Sequence, residues 1–153
     1  MSTTFTLVLV AAAPFWALMI LAPNWRGTRS VTSTPWMALP PLVFWFVFAI
    51  PHFGELLPAV AKPTLDGWQD LAANPATMTM LWAQIIAWDL FIGRWMYLDS
   101  RQRDAHPLAM AALLVLAIVL SPIAVPLYLL LRPVLTRTPK TEPTDTAREA
   151  VPV

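Results

Sequence analysis

With 153 residues the chain has room for one domain. It is 58% hydrophobic and only 12% charged, with a mean hydropathy of +0.60, which excludes an ordinary water-soluble domain. A net charge of +1 without a long basic run excludes nucleic acid as a partner, and the absence of cysteine excludes disulfides, thiolate zinc sites, iron–sulfur clusters and lipidation on sulfur.

The pattern predicts an all-α, integral membrane bundle of four transmembrane helices over residues 1–132. A polar tail over 133–153 is expected to be disordered, being rich in Thr, Pro and charge. The first apolar run, 5–22, stops at Pro23-Asn24-Trp25-Arg26. No Lys or Arg precedes it and the apolar stretch continues past Ala11-Ala12-Ala13, so it reads as an uncleaved helix rather than a signal peptide. The second run, 36–57, has Pro40 and Pro41 in its first turn, and Pro51 is expected to bend or end it just before His52. Between Pro58 and Asn74, Lys62, Asp66 and Asp70 alternate with Leu65, Trp68 and Leu71. That spacing fits a short amphipathic helix at the interface, or a plain loop.

Asn74-Pro75 opens the third run, 76–98, and His106-Pro107 opens the fourth, 107–131. The short polar turn between them predicts antiparallel neighbours. Four spans would bring both termini to one side. Counted that way, Arg26, Arg29, Arg101 and Arg103 at one end face Lys62, Arg132, Arg137 and Lys140 at the other, a tie. The basic residues directly after the first helix lean the termini away from the cytoplasm.

Asp89 stands deep in the third run, where a carboxylate is costly unless it is protonated, paired or hydrated. Arg94 follows five residues later, about 140° around the helix, a poor angle for a direct pair. It is expected to reach the headgroups beside Trp95 and Tyr97, or another helix. Gly93 is one turn from Asp89 on the same face and admits a close neighbour, backbone or ligand. His52 and Glu55, spaced i, i+3, fit either a proton relay or metal pair, or two polar residues at the membrane boundary. No metal or cofactor is expected: two histidines cannot build a histidine-rich di-iron site, and phosphate-loop and nucleophile-elbow motifs are missing.

Three stretches carry a family resemblance: Pro14-Phe15-Trp16-Ala17-Leu18-Met19-Ile20-Leu21-Ala22-Pro23-Asn24-Trp25, the block from Asp89 through Gly93-Arg94-Trp95 to Asp99, and Ser121-Pro122-Ile123-Ala124-Val125-Pro126-Leu127-Tyr128. Together they resemble the ABA4-like family of membrane proteins over roughly residues 10–132. The chain departs from that family's pattern with Gln84 where a His is usual, and with Ser121 and Ala124 where glycines are usual. Plant members are needed for making neoxanthin from violaxanthin, an isomerisation that opens an epoxide to an allene. The resemblance therefore implies a carotenoid or other isoprenoid ligand, with Asp89 and Arg94 as candidate catalytic residues. Gln84, Trp88, Gly93, His52 and Glu55 are the candidate substrate contacts. A non-enzymatic accessory subunit, self-associating or part of a larger membrane complex, is the competing expectation, and a small transporter is a third. The Ala/Pro/Arg-rich composition reads as bacterial, which places the chain in an inner membrane as a multi-pass protein.

Overall fold

The computed structural model describes residues 2–135, which form helices joined by short links, with no strand among them. Seven α-helices follow in order: α1 Ser2–Leu21, α2 Arg26–Ser33, α3 Leu39–Ala49, α4 Phe53–Ala61, α5 Leu65–Ala73, α6 Pro75–Gln102 and α7 Pro107–Leu131, with a 3-10 turn at Pro35–Ala38. All but residues 133–135 of the tail expected at 133–153 lie outside the described residues. By length and apolarity α1, α6 and α7 could each cross a membrane. A fourth candidate is a broken unit, α2 followed by the 3-10 turn and α3, bent by 80°.

The 28-residue α6 is the axis of the bundle. Asn74 caps it by accepting the Ala76 amide proton at 2.9 Å, and Pro75 occupies its first position, where a missing N–H costs nothing. α1 lies parallel to α6. Phe5 stacks on Trp82 with ring centroids 4.8 Å apart, Trp16 packs over Gly93, and the Tyr97 hydroxyl donates to the Pro23 carbonyl at 2.7 Å.

α2 hangs from the end of α1. Its Thr28 hydroxyl donates to the Ala22 carbonyl at 2.7 Å, satisfying an acceptor that the helix end leaves open. α3 then runs antiparallel to α6, with the Trp45 indole N–H donating to Gln84 Oε1 at 2.9 Å and Ala49 packing with Met80.

The expected helix over 36–57 is divided. Its first residues form the 3-10 turn, α3 stops at Ala49, and the chain turns through Ile50, Pro51 and His52 into α4. Pro51 has no amide proton to continue the ladder, so the break falls where proline predicts it. The segment after Pro58 is helical as well: α5 is capped by Thr64, which accepts the Gly67 amide proton at 3.2 Å.

α7 departs furthest from a simple span. Leu120 has φ −144° and ψ 62°, far from helical values, and Pro122 and Pro126 each remove a ladder hydrogen bond beyond it. A straight helix of 25 residues would hold its ends about 36 Å apart. Instead the His106 amide donates to the Leu135 carbonyl at 3.3 Å, so the two ends of α7 meet. The first arm descends antiparallel to α6. The second arm returns parallel to it, bringing Ser121 to Asp89 and Tyr128 to Asp99. Arg132, expected at the opposite end from Arg101 and Arg103, sits at the same end as both, bonded to Asp99.

Candidate functional site

Asp89 is half-buried, midway along α6, and the side chain of Ser121, at the tip of the folded α7, lies beside its carboxyl. Among the described residues the ion pairs all belong to Asp99, so no cation neutralises Asp89. A hydroxyl at a helix break offers a carboxyl at this depth a polar neighbour in place of a cation.

Because α7 turns back at the level of Asp89, it leaves the lower part of the same α6 face uncovered. Met78, Trp82 and Ile85 precede Asp89 by eleven, seven and four residues, which puts all of them within about 40° of its direction. Met78 is 41% and Ile85 46% exposed, while Trp82 is half-covered by Phe5 of α1. The result is an open apolar strip about 16 Å long, from Met78 upward, with a carboxyl at its head.

Arg94 is engaged elsewhere. Its Nε donates to the Thr32 carbonyl at 2.7 Å and one terminal nitrogen to the Ser33 carbonyl at 3.1 Å, so the guanidinium caps the C-terminus of α2. A cation there satisfies open carbonyls and complements the helix dipole. The poor angle to Asp89 is thus resolved by the second expected route, a reach to another helix. Gly93 admits a close neighbour, and that neighbour is internal: a Cβ at this position would lie 2.3 Å from the Trp16 ring. Gln84 is occupied by Trp45, and Trp88, 61% exposed, faces outward beside the strip.

His52 and Glu55 are not brought to Asp89. His52 lies in the turn before α4, its Nδ1 2.9 Å from the Phe48 carbonyl, at the end of α6 where Ala49, Leu56 and Met80 pack. Glu55 is exposed and borders an open groove of about 630 Å³ between α4 and α5, with Lys62 and Asp70 on its walls. No group of three metal-ligating side chains occurs among the described residues.

Sequence reasoning missed the strongest polar centre. Asp99 accepts from the Tyr128 hydroxyl at 2.5 Å and from Arg103 Nε at 3.1 Å on one oxygen, and from Arg132 at 2.7 Å on the other. The Tyr128 ring also meets Trp95 edge-on at 5.7 Å. The available signal was that Asp99 and Tyr128 each fall inside a recognisable block of the sequence.

Those blocks agree with the comparison to known families. A family model described as ABA4-like (ABA DEFICIENT 4-like) matches residues 3–128. The chain belongs to the ABA4-like family. The match takes in Asp89, Arg94, Asp99, Ser121 and Tyr128, and of the Asp99 centre of this ABA4-like chain only Arg132 lies beyond it. No curated protein and no solved structure matches the chain significantly.

Proposed function

We propose that this ABA4-like protein is a multi-pass membrane protein that binds a carotenoid or another isoprenoid lipid along the Met78–Ile85 strip, with the Asp89 carboxyl meeting a polar end group. The observation that carries this reading is the open apolar strip ending at a carboxyl that lies beside a hydroxyl and pairs with no cation among the described residues. A long apolar chain matches such a strip in shape and chemistry, and one polar group at its end fixes the ligand's register. Isomerisation of an epoxide needs an acid at the epoxide oxygen and a base for the departing proton, and Asp89 is the candidate for the acid. Arg94 acts in this scheme as a positioning residue that holds α2 against α6.

The test is an absorption spectrum and lipid mass spectrometry of the detergent-purified protein, wild type beside Asp89→Asn. A stoichiometric polyene or isoprenoid that the substitution removes supports the reading. A colourless preparation with no enriched lipid in either protein refutes it.

One observation favours the accessory-subunit reading instead. Gln84, at the place of the family's usual His, is tied to Trp45 as a packing contact. Purification with stoichiometric partner subunits, unchanged by Asp89→Asn, would decide for that alternative.

A further inference from the structure

The arginines at the upper end of α6 differ in what they already hold. Arg103 and Arg132 are neutralised by Asp99, and Arg94 caps α2. Arg101 is fixed in position: one terminal nitrogen donates to Asn24 Oδ1 at 2.7 Å and the other to the Ala105 carbonyl at 2.9 Å. Its Nε is buried with no partner. Arg29, on α2, is exposed, and its side chain makes no hydrogen bond or ion pair with any described residue.

Arg29 and Arg101 both line a recess of about 290 Å³ whose other walls are Ser33, Tyr97, Leu98 and Gln102. No carboxylate lines it. A smaller recess of about 140 Å³ is lined by the same two arginines together with Asp104, so only the larger one has arginines without a carboxylate on its walls.

Two guanidinium groups and the Gln102 amide around one recess form a donor set with a surplus of charge, while the Ser33 and Tyr97 hydroxyls already donate to the Ser30 and Pro23 carbonyls. Guanidinium groups bind phosphate through paired, charge-assisted hydrogen bonds. The level is also that of lipid headgroups. Trp25 and Trp36 are largely exposed at the two ends of the α2 segment, as interfacial anchors are, and the apolar stretches of α1 and α6 end here.

We propose that the recess between Arg29 and Arg101 binds a phosphate group, that of an anionic lipid headgroup, at the arginine-bearing end of the protein. The site is separate from the Asp89 strip and stands whether or not that strip binds an isoprenoid. Arg101 is the fixed half of the site and Arg29 the half that closes on the ligand.

Native mass spectrometry of the full chain in detergent tests it, with titrations of dioleoylphosphatidylglycerol, dioleoylphosphatidylcholine and inorganic phosphate. Arg29→Gln is the informative variant because Arg29 supports nothing in the fold, and Arg26→Gln is its control, a nearby exposed arginine outside the recess. The expected result is preferential binding of phosphatidylglycerol, weakened about tenfold by Arg29→Gln and less than twofold by Arg26→Gln. Competition by millimolar inorganic phosphate at the same site would keep the phosphate chemistry and assign it to a soluble ligand. Equal weakening by both variants, or phosphatidylcholine binding as well as phosphatidylglycerol with no effect of Arg29→Gln, would overturn the proposal.

Discussion

If α7 folds back at Leu120, residue 134 must lie on the same side of the membrane as the α6–α7 turn, and that has a direct chemical test. The chain contains no cysteine, so single cysteines can be introduced without a background. Asp104→Cys marks the α6–α7 turn, Leu65→Cys marks the opposite end at the start of α5, and Val134→Cys marks the end of α7. All three positions are exposed. The 28 residues of α6 hold its own two ends about 42 Å apart along the axis, more than a hydrocarbon core of about 30 Å. A crossing α7 would carry residue 134 a further 36 Å, back to the Leu65 side, whereas the fold-back returns it to the Asp104 side. Sealed vesicles of one orientation, treated with a membrane-impermeant maleimide, should label Val134→Cys together with Asp104→Cys and leave Leu65→Cys protected, or the reverse in inverted vesicles. Co-labelling of Val134→Cys with Leu65→Cys would refute the fold-back and restore a fourth crossing.

Other substitutions probe the packing. Gly93→Ala places a methyl group in the Trp16 ring and should destabilise by about 1–3 kcal/mol, read as a lower melting temperature in detergent. Tyr128→Phe removes the hydroxyl from Asp99 and should cost about 1 kcal/mol, whereas Arg103→Gln, at an exposed ion pair, should cost less than about 1 kcal/mol by the same melt. Gln84→Leu abolishes the acceptor for Trp45 and should cost about 1–2 kcal/mol, with a change in tryptophan emission, while Gln84→His, which keeps a ring nitrogen as acceptor, should lose less.

Much of the helical content was legible because apolar runs and proline positions record it directly. The run at 76–98 lies within α6, the run at 5–22 overshoots the end of α1 by one residue, and Pro51 marked the break before His52. The direction of the chain inside the apolar layer was not legible. Hydropathy reports that residues 107–131 are apolar, and an arm that returns is as apolar as one that continues. Pro122 and Pro126 read equally as kinks in a crossing helix, and the backbone angles at Leu120 with the contacts of the returning arm distinguish the two. The tie in the basic-residue count had the same origin, since Arg132 was assigned to the wrong end by assuming a crossing. For the site, the depth of Asp89 was visible in spacing alone. Its partner Ser121 was not, because the contact depends on that fold-back, 32 residues further along the chain. Gly93 was legible as a place of close approach, but the pattern of one helix cannot say that Trp16 of another fills it.

The Asp99 centre bears on how the protein is made. Asp99 joins the end of α6 to Tyr128 and Arg132, partners 29 and 33 positions later in the chain. During synthesis α6 is complete before either partner exists, so its carboxylate has only Arg103 while the α7 arms are still emerging. The fold-back can be secured only when the last turn of α7 has left the ribosome. A nascent chain stalled before Tyr128 would therefore present an apolar segment with no clasp, free to insert as an ordinary span, which makes the final few residues of the hairpin the ones that decide its topology.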